Sequence, residues 1–171
     1  MATPRSGAIA DAIAAWLNSP TDWQGNAFTW PDVGFDWTAQ RKRVVETELE
    51  TQSDTLLVEV VPDDLTTAEI WDRGRKVQDY TVWILARRRY LVPAAADDAG
   101  VSEQFLDDLA ALVEAFGSRI VDLILPGQPA GYTVTCLKAP VTSCDAEYVK
   151  TFRTYCGSVG AVMREWRPRG S

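Results

Sequence analysis

The stretch Val77-Gln78-Asp79-Tyr80-Thr81-Val82-Trp83-Ile84-Leu85-Ala86-Arg87-Arg88-Arg89 decides how this chain is read. Side chains alternate along an extended backbone, so Tyr80, Val82, Ile84 and Ala86 share one face, opposite Thr81, Trp83, Leu85, Arg87 and Arg89. The strand is apolar on both sides at Trp83 and Leu85 and then turns basic. That pattern suits an inner part that is covered and an end that projects to solvent or to a partner. Upstream, Asp72-Arg73-Gly74-Arg75 has turn chemistry, so residues 68–71 form the first arm of a hairpin.

Working outward toward the N-terminus, Thr55-Leu56-Leu57-Val58-Glu59-Val60-Val61 is strongly β-branched and stops at Pro62-Asp63-Asp64. It is expected to be a central strand buried over most of both faces. Before it, a strand beginning near Trp37 is expected to pass through Val44-Val45 and leave the sheet along Glu46, Glu48 and Glu50. Residues 18–36 are rich in Pro, Gly, Asn and Asp yet carry Trp23, Phe28, Trp30 and Phe35, which predicts an ordered loop pinned by rings. At the start, Ile9, Ile13, Trp16 and Leu17 fall on one helical face, ended by Asn18 and Pro20.

Toward the C-terminus, Phe105, Leu109, Leu112, Val113, Phe116, Ile120, Leu123 and Ile124 make a continuous apolar stripe of about five helical turns. Ser102 or Asp98 can cap its start, and Pro126-Gly127 closes it. A stripe this long must lie across a sheet. Residues 132–137 read as a strand, and a short helix capped by Ser143 or Asp145 runs through Tyr148, Val149 and Phe152. Residues 159–166 form a last strand and 167–171 a frayed tail. The whole implies one α+β domain over residues 1–171. Its sheet is largely antiparallel, with an N-terminal helix and one long helix packed on it and a projecting hairpin.

Composition narrows the chemistry. The 171 residues are 46% hydrophobic and 24% charged, which fits a single globular core and excludes disorder and a disulfide-stapled miniprotein. There is no histidine, which removes imidazole acid–base catalysis, Ser-His and Cys-His nucleophile pairs and imidazole-dependent zinc sites. Seventeen basic against 24 acidic residues give a net charge of −7, unfavourable for general adhesion to nucleic acid or anionic lipid. Cys136, Cys144 and Cys156 form no C-x-x-C pair and are expected as reduced, mostly buried thiols. No apolar run approaches the roughly 20 residues that span a bilayer, and the first residues do not read as a signal peptide. The expectation is a soluble product with no membrane partner.

Each candidate site has a plainer structural use. Glu46, Glu48 and Glu50 line one side of an extended segment, but no Gly-anchored calcium loop accompanies them, so a solvated or rim-facing strip is expected. Asp63-Asp64, Asp97-Asp98 and Asp107-Asp108 could supply a histidine-free pair of carboxylates for glycoside hydrolysis, yet they sit in turns or a first helical turn. Arg73-Gly74-Arg75-Lys76 and Arg87-Arg88-Arg89 are two basic clusters. Strand alternation splits Arg88 from its neighbours, so contact with an acidic protein surface is favoured over nucleic-acid recognition. Phosphate loops and the nucleophile elbow are absent, and Gly157-Ser158-Val159-Gly160 reads as a bulge or tight contact.

The order of these blocks resembles the tail-terminator (tail-completion) proteins of long-tailed bacteriophages. The resemblance rests on the helix around Ile9-Ala10-Asp11-Ala12-Ile13, the strand leading into Val44-Val45-Glu46-Thr47-Glu48-Leu49-Glu50, and the strand from Leu56 to Pro62. It continues through Arg73, the Tyr80-Thr81-Val82-Trp83-Ile84 strand, the helix over 106–125, a late helix over 148–152 and a final strand ending Met163-Arg164-Glu165-Trp166. It covers nearly the whole chain, although the aromatic segment 23–37 and the loop at Cys144 are larger than the family pattern. The resemblance implies a homohexameric ring that caps the tail tube, halts its polymerisation and meets the head connector, in the virion after synthesis in the host cytoplasm. It implies no catalytic residue, cofactor or metal. On this reading Arg73, Arg75, Lys76, Trp83, Leu85, Arg87 and Arg89 are the candidate interface. Glu46, Glu48 and Glu50 would line a channel through which DNA passes without specific binding. The competing classes are another head–tail joining protein (connector or stopper), a histidine-free hydrolase with two carboxylates, and a binding module using exposed tryptophans.

Overall fold

The computed structural model describes residues 5–22, 24–43, 56–63, 70–72, 75–89, 103–127, 130–144, 149 and 154–168. The chain runs through α1 (Arg5–Leu17), β1 (Ala39–Arg41), β2 (Leu57–Pro62), β3 (Ile70–Asp72) and β4 (Arg75–Arg89). It continues through α2 (Glu103–Ile120), β5 (Ile124–Pro126), β6 (Thr133–Lys138), β7 (Val141–Ser143) and β8 (Thr154–Pro168). The strands form one sheet in the order β1-β2-β4-β8-β6-β5, with β3 beside β4 and β7 beside β8. Only β1 and β2 run parallel among the described pairs, so this is an α+β fold on a mixed, largely antiparallel sheet.

β4 and β8, 15 residues each, are the spine, paired from Arg75↔Pro168 to Arg89↔Thr154. The alternation read from the sequence holds. Tyr80, Val82, Ile84 and Ala86 are buried and pair with Met163, Ala161, Val159 and Gly157 on the same face. Against that face lie Ile9, Ile13 and Leu17 of α1 and Leu109, Leu112, Val113, Phe116 and Ile120 of α2, all in one core. Each fully buried Leu, Ile or Phe contributes roughly 1.5–3 kcal/mol, so the two helical stripes hold the helices to the sheet. Gly117 permits the close crossing of α2 over β7, because a Cβ there would collide with a methyl group of Val141.

The aromatic loop is ordered and pinned as its rings predict. Trp30 meets Trp16 edge-on at 5.4 Å, Phe28 at 4.7 Å and Phe116 at 5.1 Å, while its Nε1 donates to the Leu17 carbonyl at 2.9 Å. Trp37 adds a second edge contact to Phe116 at 5.4 Å. Trp23 lies outside the described residues. Arg88, split from its basic neighbours by strand alternation, stacks over Phe35 at 3.1 Å, and Phe35 in turn packs on Phe105.

Several boundaries differ from the sequence reading. α2 stops at Ile120, where Asp122 N donates to Arg119 O and Leu123 N to Ile120 O. Leu123 stays buried, but Ile124, expected on the helical stripe, opens β5 and is 43% exposed. β5 and β7 have three residues each, too short to show alternation. β8 starts at Thr154, and Arg167 and Pro168, expected in the frayed tail, extend it by pairing with Lys76 and Arg75. The hairpin forms through Ile70↔Val77, Trp71↔Lys76 and Asp72↔Arg75, and β8 flanks it on the other side. The exit strand along Glu46, Glu48 and Glu50 lies outside the described residues, as does the late short helix apart from Val149, which is helical and buried.

Candidate interaction surface

Because α1 and α2 share one face of the sheet, the opposite face carries Asp79, Thr81, Trp83, Leu85 and Arg87 of β4. Opposite them on β8 stand Arg164, Val162, Gly160, Ser158 and Cys156. Val61, Glu59 and Leu57 of β2 extend the same rows beyond Trp83, Leu85 and Arg87. Trp83 is 40% exposed, and Val61, Leu85 and Val162 around it are partly exposed, as is Leu57 opposite Arg87. The indole lies over Gly160, where an added Cβ would sit 2.8 Å from the ring. Gly160 therefore serves a tight contact, one of the two uses the sequence suggested for the 157–160 glycines.

Two ion pairs are built into this face. Asp79 and Arg164, directly opposite, make two parallel hydrogen bonds of 2.7 Å each. The Asp79 bond raises the guanidinium of Arg164 above its ordinary value, against a smaller opposing effect of burial. The second pair corrects the reading of the basic strand end. Arg87 is 6% exposed, and its Nε donates to Glu59 Oε2 at 3.0 Å, with Nη2 reaching the same oxygen; Glu59 is 3% exposed. Arg87 does not project toward an acidic partner, because its charge is committed inside the chain. The sequence did carry a signal: an acid in the middle of Val58-Glu59-Val60, buried on both faces, requires a buried cation.

The other expected interface residues fall as follows. Trp83 and Leu85 share the open face, and Arg89 is partly exposed at the end of β4 opposite Thr154. Arg75 and Lys76 stand in β4 opposite Pro168 and Arg167. Arg73, Glu46, Glu48 and Glu50 lie outside the described residues.

One residue of each terminal strand has its outward backbone groups engaged. Asn18 donates from Nδ2 to the Ala39 carbonyl at 2.9 Å and accepts the Ala39 N–H on Oδ1 at 2.8 Å, standing in for a neighbouring strand along β1. At β5, Pro126 has no N–H, and its carbonyl accepts from Arg5 Nη2 at 3.1 Å. Arg5 also holds Glu165, which is fully buried and accepts from Tyr80 Oη at 3.3 Å.

A cleft of about 480 Å³ beside β5 is lined by Trp16, Asp22, Phe28, Arg119 and Ile124. Two of its charged groups, Arg119 and Asp22, are engaged locally. Arg119 stacks on Phe28 at 3.2 Å, and Asp22 accepts hydrogen bonds from the Asn26 side chain and the backbone of Asn26 and Gln24. The Asn26 side chain leads in holding the Asp22 carboxyl below its ordinary range. Among the described residues no three of His, Cys, Asp or Glu converge as metal ligands. Burial pushes the Cys136 and Cys156 thiols up, and the neighbouring Cys144 adds to the effect at Cys156. Compared with family models and with curated proteins, the chain matches none.

Proposed function

We propose that this chain is a structural subunit of the head–tail junction of a long-tailed bacteriophage: a tail terminator that assembles as a ring of six. The ring caps the tail tube, stops its growth and joins it to the head connector or stopper protein. The observation that carries this reading is the part of that sheet face around Trp83, which is 40% exposed beside the partly exposed Val61, Leu85 and Val162, whereas Glu59 and Arg87 farther along are buried. The sequence order of blocks, which resembles that family, supports it. A contact of this face with a different surface of the next copy closes into a ring if the rotation closes.

In the ring, Arg73, Arg75, Lys76 and Arg89 supply the polar rim of the contacts, and Arg87 is left out of it. Glu46, Glu48 and Glu50 line the channel, where repetition by symmetry multiplies their charge and lets DNA pass without sticking. The protein works without catalysis. The chain has no histidine, and Asp11, Glu59, Asp79 and Glu165 are each paired with an arginine, which suits carboxylates used for structure. No described helix is long and apolar enough to cross a membrane.

Native mass spectrometry and electron microscopy of the purified protein over rising concentration test the reading. A closed ring that binds tail tubes supports it. A chain that stays monomeric at high concentration and in the presence of tubes overturns it, and a ring that binds only connectors transfers it to a connector or stopper.

A further inference from the structure

Among the described residues, Cys144 and Cys156 are brought together by the sheet although they are separated in sequence. The register of β7 on β8 runs Val141↔Val159, Thr142↔Ser158 and Ser143↔Gly157, so the next step sets Cys144 opposite Cys156. The ladder continues there, since Cys144 N donates to Cys156 O at 3.1 Å. Sγ of Cys144 accepts the N–H of Cys156 at 3.1 Å, which aims the sulfur at its neighbour's backbone. The pair keeps one backbone bond, the second N–H going to sulfur, and antiparallel partners lie about 4.5–5.5 Å apart at Cα, within the range that a disulfide spans. Both residues are partly exposed thiols, so a small oxidant can reach them.

We propose that Cys144 and Cys156 form an oxidisable dithiol site that closes to an intramolecular disulfide with a glutathione-type disulfide as oxidant. The thiolate of one cysteine attacks the oxidant, forming a mixed disulfide and releasing one glutathione thiolate. The thiolate of the second cysteine then attacks the protein sulfur of that mixed disulfide, and the second glutathione leaves. Two protein thiols are oxidised, one disulfide is reduced to two thiols, and the two protein protons end on the glutathiones. The bond ties together the two ends of the 145–153 connection. A reducing cytosol keeps the pair open, and release into an oxidising medium closes it. Cys136 stands opposite Met163, seven residues along β8 from Cys156, and takes no part. The site does not depend on the ring reading.

The test equilibrates the intact protein with mixtures of reduced and oxidised glutathione, followed by acid quench, intact mass, maleimide counting and peptide mapping. Reactive thiols are expected to fall from three to one, the survivor being Cys136, with no glutathione retained and full reversal by dithiothreitol. Cys136→Ser should still form the bridge, so the outcome does not hang on the folding of variants at the pair. Cys144→Ser and Cys156→Ser should each keep one glutathione on the remaining partner. A bridge that includes Cys136, stable glutathione on both Cys144 and Cys156 of the wild type, or three unreacted thiols in the most oxidising mixture would overturn the proposal.

Discussion

Replacing Arg87 by alanine strands Glu59 inside the sheet. The wild-type guanidinium reaches Glu59 Oε2 through Nε and Nη2, and both residues are almost wholly removed from water, at 6% and 3% exposure. Removing one member of a buried pair costs about 3–5 kcal/mol, because the remaining charge has neither water nor a counterion. For a chain of this size each kcal/mol moves the melting temperature by about 2–4 °C, so Arg87→Ala should lower it by roughly 6–20 °C. That is a large share of the about 5–15 kcal/mol that holds a domain together. Thermal and urea melts followed by circular dichroism would read it. The double variant Glu59→Leu/Arg87→Met, which removes both charges and keeps volume, should recover most of the loss, since apolar replacements of buried pairs are often neutral. An Arg87→Ala protein within about 1 kcal/mol of wild type would refute the reasoning, as would a double variant no more stable than the single one.

Phe116 is fully buried with Trp30 and Trp37 edge-on to it, so Phe116→Ala should cost about 3–5 kcal/mol, read as a lower urea midpoint. Gly160→Ala should push the Trp83 indole off β8 at a stability cost of about 1 kcal/mol, visible in tryptophan fluorescence, while reducing assembly far more than folding. Alkaline pH should destabilise the chain. Burial raises the thiols of Cys136 and Cys156 above their ordinary 9.0 and the phenol of Tyr155 above 10.0, so the folded state holds protons that the unfolded state has already released. Stability from these groups is therefore complete below about pH 9 and is lost as pH rises through the raised values, which a series of melts across that range would show.

What the sequence made legible follows from periodicity and its limits. The stripes of α1 and α2 and the alternation of β4 were readable because each repeats over enough residues to separate a period of 3.6 from one of 2. β5 and β7 were not, since three residues carry no period, and Ile124 was assigned to the helix because its spacing continued the stripe past a turn at 119–123. The start of β8 was hidden by Tyr155-Cys156-Gly157-Ser158, where Gly157 interrupts the apolar alternation because it fits beneath Val113 and beside Tyr155. The open face was half visible: alternation put Trp83 and Leu85 together, but the commitment of Arg87 depends on a partner on another strand. Local pattern gives the face of a residue and not its cross-strand neighbour, and the same limit hid the pairing of Cys144 with Cys156.

The central claim is that the sheet face around Trp83 carries the contact between copies. A cryo-electron microscopy reconstruction of the purified protein at assembling concentration tests it directly, through the surroundings of Trp83. The account predicts a closed ring of six in which the indole of Trp83, with Leu85 and Val162, is buried against the next copy. A ring that leaves Trp83 in solvent, or particles that contain a single isolated copy, would contradict it.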